Sequence, residues 1–152
     1  MTSVGQMAAK FLKAAAPDAA SRMSLHNECS KFSSYGLFTG CTVVADFSCH
    51  PHKDQRNLSG AATVVVSLTS SKADNNNDSQ LHILHSYKGP ESGDSGIAFK
   101  MPSGSAIVEV SKAELHSTTK VAHPDSAHPS RIGLVFYRHL GLDQANHGSK
   151  VR

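Results

Sequence analysis

The residues best suited to chemistry are His52 and Asp54, in His50-Pro51-His52-Lys53-Asp54, with His116 and an Arg131 fifteen residues beyond it. Two imidazoles and one carboxylate are the ligand set that grips one face of Fe(II) and leaves other positions open to a co-substrate and O2. An arginine adds a planar guanidinium fork that holds a carboxylate through paired hydrogen bonds, here that of 2-oxoglutarate. The set predicts an oxygenase rather than a binding module. His52 and Asp54 stand two residues apart, so on an extended segment they share a face and can serve one metal ion.

Short strands must position these residues. Cys41-Thr42-Val43-Val44-Ala45, Val64-Val65-Val66-Ser67-Leu68, Leu81-His82-Ile83-Leu84, Ala106-Ile107-Val108-Glu109-Val110 and Ile132-Gly133-Leu134-Val135-Phe136-Tyr137 are apolar, β-branched runs of strand length. Turn signals at Ser33-Ser34-Tyr35-Gly36 and polar loops at 70–79 and 90–96 separate them. Arg131 opens the last strand, where Gly133 and Val135 share its face, and His116 begins a strand or turn after Lys112-Ala113-Glu114. An amphipathic helix over 7–15, ended near Pro17, precedes the strands. The Ala-rich start also has the look of an organellar transit peptide, but it lacks the arginines of one. Little helix is predicted after it. The expected fold is mainly β, a double-stranded β-helix (jelly roll, cupin-like) with an N-terminal helix. The expected division is a helix packing on the barrel at 1–24, an oxygenase core at 25–148 and a tail at 149–152, the polar end from 143 fraying.

A chain of 152 residues is one domain by length. With 39% hydrophobic and 18% charged residues it is neither a disordered tail nor a membrane protein, and no apolar run reaches the roughly 20 residues of a membrane helix. A net charge of +3 permits a polyanionic partner without arguing for one. Cys29, Cys41 and Cys49 are an odd number without CxxC spacing, which favours reduced, partly buried thiols. A zinc site joining one or two of them to His50 or His26 is the alternative. His123, His128 and His147 read as loop residues, and His85 as structural or exposed.

Longer segments then carry a resemblance. Asp46-Phe47-Ser48-Cys49-His50-Pro51-His52-Lys53-Asp54-Gln55-Arg56-Asn57-Leu58 resembles the iron-binding segment of the TET-type 5-methylcytosine dioxygenases, in the TET/JBP family of Fe(II)/2-oxoglutarate oxygenases. In the same order follow Thr63-Val64-Val65-Val66-Ser67-Leu68-Thr69, Gln80-Leu81-His82-Ile83-Leu84, Glu114-Leu115-His116-Ser117-Thr118-Thr119 and the run from His128 to His139. Leu12-Lys13 through Ala16-Pro17 is similar to the helix before the family's barrel, so the likeness covers 11–148.

The resemblance implies Fe(II), 2-oxoglutarate and O2, and oxidation of the 5-methyl group of cytosine in DNA to hydroxymethyl, then to formyl and carboxyl. It implies His52, Asp54 and His116 as iron ligands. Arg131 would hold the distal carboxylate of 2-oxoglutarate, with His82 hydrogen-bonded to it and Gly133 beside them. Asn57 and His139 would meet the edge of a flipped cytosine, Tyr137 would stack on its face, and Thr42 would support that ring. Methylated DNA is the implied partner and the nucleus the implied location. The chain is a short form. It lacks the family's Cys-rich zinc region and the arginine there that reaches 2-oxoglutarate, so a further subunit or N-terminal segment is an open expectation. The long insert before the second iron histidine is absent, Gly133 replaces a hydroxyl residue, and Ser48 then Cys49 displaces the family's cysteine, which weakens zinc binding by His50. Two other readings stay open: the same iron chemistry on thymine, RNA or a free base, and a degenerate domain that binds DNA without turnover.

Overall fold

The computed structural model describes residues 3–27, 36–69, 80–88, 95–120 and 130–142. Two helices, α1 (Ser3–Ala15) and α2 (Pro17–Asn27), precede eight strands: β1 (Gly40–Ala45), β2 (Cys49–His52), β3 (Thr63–Thr69), β4 (Leu81–Lys88), β5 (Ser95–Lys100), β6 (Ala106–Glu109), β7 (His116–Thr118) and β8 (Arg131–Tyr137). The strands form two four-stranded antiparallel sheets, ordered β1-β8-β3-β6 and β2-β7-β4-β5. The expected mainly β, jelly-roll-like fold with an N-terminal helix is borne out.

The sequence expectation differs from the structure at two kinds of place. Pro17 does not end the helical region; it opens α2, where its missing N–H removes no bond and its fixed φ suits a first turn. The backbone continues across the junction through Ala16 N–H to the Leu12 carbonyl at 2.8 Å and Ala20 N–H to the Ala16 carbonyl at 3.0 Å. Three strands escape the apolar pattern. β2 is Cys-His-Pro-His, and Pro51 is tolerated because β2 is a sheet edge. β7 has only three residues, and β5 takes in residues 95 and 96 of the loop expected at 90–96. The expected loops at 70–79 and 90–94, residues 33–35, Cys29, His123, His128, His147 and the tail from 143 lie outside the described residues, as does the side chain of His26.

The two-residue period of the first sheet gives it two working faces. Val64, Val66 and Phe136 point to one side and pack with Ala8, Leu12, Ala20, Met23, Leu37 and Phe38 into the core beneath the helices. Phe38 and Phe136 meet at 5.6 Å between ring centroids, tilted by 46°. Val65, Arg131, Gly133, Val135 and Tyr137 point to the other side, into a cavity between the sheets. A buried Arg138 joins helix and sheet by donating to the Met23 carbonyl at 3.0 Å. Leu12 is fully buried at the helix–sheet contact. Leu12→Ala is expected to lower the unfolding free energy by about 2–5 kcal/mol, read as a shifted midpoint in a urea titration with unchanged slope.

Candidate functional site

The cavity between the sheets has a volume of about 670 Å3. All ten residues singled out in the sequence line it: Thr42, His52, Asp54, Asn57, His82, His116, Arg131, Gly133, Tyr137 and His139.

Strand pairing brings the two histidines together. In β2 and β7 His52 lies directly opposite His116, and their rings sit 4.4 Å apart between centroids. Asp54 follows two residues on, its N–H donating to the Ser111 carbonyl at 3.0 Å. One ligand atom from each of His52, Asp54 and His116 lies within 4.8 Å of the others, and among the described residues no other group of three His, Cys, Asp or Glu could share an ion. Backbone carbonyls fix both imidazoles: Nδ1 of His52 donates to the His50 carbonyl at 2.9 Å and Nδ1 of His116 to that of Glu114 at 3.1 Å. A carbonyl can only accept, so Nδ1 carries a proton in both rings, and in the neutral form each Nε2 keeps its lone pair. Nε2 of His52 consequently faces Asp54 Oδ1, a second acceptor, at 3.5 Å. Cys41 and Cys49 are free and half-buried, and burial pushes the Cys41 thiol up.

Arg131 is buried at the opposite wall. Its Nε donates to Ser67 Oγ at 3.0 Å and its Nη1 to Gln80 Oε1. Each acceptor is held in turn, Ser67 by the Met101 carbonyl at 3.0 Å and Gln80 by the Phe47 carbonyl at 2.6 Å. Asp46 clamps the backbone here, accepting from the N–H groups of Arg131 at 2.8 Å and Ser130 at 3.1 Å. It does so at φ 46°, a left-handed conformation that Asp tolerates better than most residues. Burial lowers the Arg131 guanidinium from its ordinary value, and the Asp46 charge raises it again. Two of the five donors of the side chain are thereby bound to protein. The others form an edge suited to a carboxylate.

His82 stacks on His116 at 5.8 Å between centroids and shares a 2.9 Å hydrogen bond with Glu109 through Nε2; both side chains are almost fully buried. Its Nδ1 is the one buried side-chain nitrogen or oxygen, among the described residues, with no partner. Gly133 makes room for a neighbour, since a Cβ there would lie 2.8 Å from Val44 Cγ2. Tyr137 lies across Gly40, its register partner on β1; a Cβ at 40 would come within 2.8 Å of the ring. The Tyr137 hydroxyl also meets Thr42 Oγ1 at 3.4 Å. His139 accepts from the Gly141 N–H through Nδ1 at 3.1 Å, which puts its proton, in the neutral ring, on Nε2.

Asn57 is buried, and its backbone bridges to His139. Its amide nitrogen is committed inside the protein, donating to Ser111 Oγ at 2.8 Å and Asp54 Oδ2 at 3.0 Å, with Thr63 Oγ1 at 3.3 Å. Sequence reasoning missed Asp46, Thr63, Ser67, Gln80, Glu109 and Ser111. The available signal was polar residues in or beside apolar strands, Ser67 and Glu109 above all.

The chain matches the Tet_JBP family, the oxygenase domain of the 2OGFeDO superfamily, over residues 1–140. It is 38% identical over 65 residues to methylcytosine dioxygenase TET of Drosophila melanogaster, covering 43% of this chain and 2% of that protein. It is 47% identical over 53 residues to methylcytosine dioxygenase TET3 of Homo sapiens, covering 35% of this chain and 3% of that protein. With methylcytosine dioxygenase TET2 of Mus musculus the identity is 44% over 63 residues, covering 41% of this chain and 3% of that protein. The chain thus spans a few hundredths of the length of these relatives. A family match over nearly the whole sequence, on a fold and cavity of this design, makes the chain a member of the Tet_JBP family of oxygenase domains.

Proposed function

We propose that this domain is an Fe(II)- and 2-oxoglutarate-dependent dioxygenase that oxidises the 5-methyl group of cytosine in DNA to hydroxymethyl, and onward to formyl and carboxyl. The observation that carries the reading is the meeting of lone pairs at His52, Asp54 and His116. One ligand atom of each lies within 4.8 Å of the others, and with both rings neutral these are three acceptors that a cation among them would satisfy. Two nitrogens and one carboxylate oxygen suit Fe(II) and leave coordination positions open. The remaining edge of Arg131 fits a carboxylate of a dicarboxylate in the same cavity, and the orphaned Nδ1 of His82, whose Nε2 is engaged with Glu109, would meet it as the second N–H of an imidazolium. When bound, iron and 2-oxoglutarate would activate O2 to the oxidant that a methyl C–H requires.

The chain's own part is to bind, orient and exclude water. Arg131 neutralises and aligns the far carboxylate of the co-substrate, while His82, backed by Glu109, offers a second polar contact. Val65 and Val135 wall the cavity with hydrocarbon. The target base must leave the duplex to reach this depth. Tyr137, steadied by Gly40 and Thr42, offers a flat face for stacking. Asn57 and His139 then favour cytosine over thymine. The Asn57 amide nitrogen is engaged with Asp54 and Ser111, so its carbonyl is the group left for the base; the Nε2–H of His139 is the matching donor. An acceptor beside a donor complements the amino group and N3 of cytosine and opposes the carbonyl and N3–H of thymine. Lys53 and Arg56, exposed at the rim, are placed to meet phosphates. A DNA substrate of this kind implies action in the nucleus.

The test is mass spectrometry of a 5-methylcytosine oligonucleotide incubated with the protein, Fe(II), ascorbate and 2-oxoglutarate. Oxidised cytosine that requires 2-oxoglutarate and disappears in His52→Ala is expected. Parallel thymine, RNA and nucleoside samples should give little product. Product from those samples and not from methylated DNA would reassign the substrate; no product from any would point to a domain that binds without turnover. Arg131→Ala is expected to raise the KM for 2-oxoglutarate by about 10–100-fold, the loss of one or two charged hydrogen bonds, with Fe(II) affinity nearly unchanged. Equal loss of both affinities would refute that division of labour.

A further inference from the structure

Asp54 has two carboxylate oxygens in different surroundings. Oδ1 faces His52 Nε2 at 3.5 Å, while Oδ2 accepts from Asn57 Nδ2 at 3.0 Å. An ionised carboxylate can only accept, so the amide must present nitrogen rather than oxygen to it. The amide group has two hydrogens. One serves Asp54, and the other serves Ser111 Oγ at 2.8 Å. Ser111 is anchored by Thr63, hydroxyl to hydroxyl at 2.7 Å, and both residues are almost completely buried. These anchors come from separate places in the chain: Thr63 opens β3, and Ser111 lies between β6 and β7. The Ser111 carbonyl also holds the Asp54 N–H at 3.0 Å. Ser111 therefore grips the carboxylate residue twice, directly through the backbone and indirectly through Asn57.

We propose that Ser111 and Thr63 are positioning residues for the metal centre, which act through the Asn57 amide to keep Asp54 a one-oxygen ligand with Oδ1 toward the ion. Without the anchor, the Asn57 amide turns about its terminal torsion, for which no staggered well is preferred. Asp54 Oδ2 then loses its donor and the carboxylate is no longer fixed: it can turn Oδ1 away from the ion, which weakens metal binding, or swing Oδ2 into a position that the co-substrate needs. The inference rests on reading His52, Asp54 and His116 as ligands, and it concerns residues that touch neither metal nor substrate.

The experiment is anaerobic calorimetric titration of the protein with Mn(II), followed by 2-oxoglutarate at saturating metal. It is run on the wild type, Ser111→Ala, Thr63→Val, Thr63→Ser and His52→Ala. Ser111→Ala is expected to weaken Mn(II) binding by about tenfold or more, in the range usual for partners that orient a metal ligand. Thr63→Val, nearly the same shape without the hydroxyl, should weaken it in the same direction, and Thr63→Ser should restore the wild-type value. Both weakened variants should also bind 2-oxoglutarate less tightly once loaded with metal. A purely structural role would lower the metal-free melting temperature and leave the affinities of the folded protein alone. Affinities within twofold of wild type in both Ser111→Ala and Thr63→Val would overturn the proposal. A wild type that binds no Mn(II), or binds it no better than His52→Ala, would instead overturn the ligand assignment, and the inference with it.

Discussion

The cavity depends on the strict alternation of side chains along extended backbone. In β8, odd-numbered residues face the cavity: Arg131, Gly133, Val135 and Tyr137. Leu134 and Phe136, between them, pack toward the helices. A strand cannot shift by one residue without exchanging these sets. The register is pinned on both flanks, with Val135 opposite Thr42 on β1 and Val65 on β3. The helices thus have a role in the site without touching it. By covering Val64, Val66 and Phe136 they decide which face of the sheet is left for chemistry.

Burial of polar groups is the second organising theme. Arg131, His82, Glu109, Asn57, Ser67, Ser111 and Thr63 are all shielded from water, and such groups are costly unless paired. The structure resolves most of that cost internally: Ser67 and Gln80 serve Arg131, Glu109 serves His82, Ser111 and Thr63 serve Asn57. What remains is unevenly distributed. The residual demand falls at His82 Nδ1, at the open edge of Arg131 and among the three converging acceptors, and all of it faces one cavity. A surface with its polar needs so concentrated is prepared for charged guests.

Some of this was legible in the sequence. The His-x-Asp spacing points to a shared face by strand geometry alone, and the β-branched runs mark five of the eight strands. The pairing of His116 with His52 was not readable from spacing, because sixty-odd residues separate them and only the order of family-like segments links them. β2 was hidden by Pro51, which reads as a strand breaker until its position at a sheet edge is known. Ser67 looks like an ordinary polar step in a valine run, and Ser111 like a turn residue; each gains meaning only when a distant partner arrives beside it. Asn57 was expected at the base edge, and the structure adds the carboxylate contact that no local pattern announces.

The close approach of Val44 to Gly133 bears on how this chain can change over time. Val44 occupies the space in which a side chain at 133 would begin, at 2.8 Å from the ideal Cβ position. A side chain at 133 therefore requires Val44 to move. The two positions face each other across the β1–β8 pair, so substitutions at them are expected to be non-additive. Either Val44 turns to another side-chain conformation or a smaller residue takes its place, at some loss of packing, for a serine at 133 to fit. The shape of this wall of the cavity is thus set by the two residues jointly, and a change at one is read through the other.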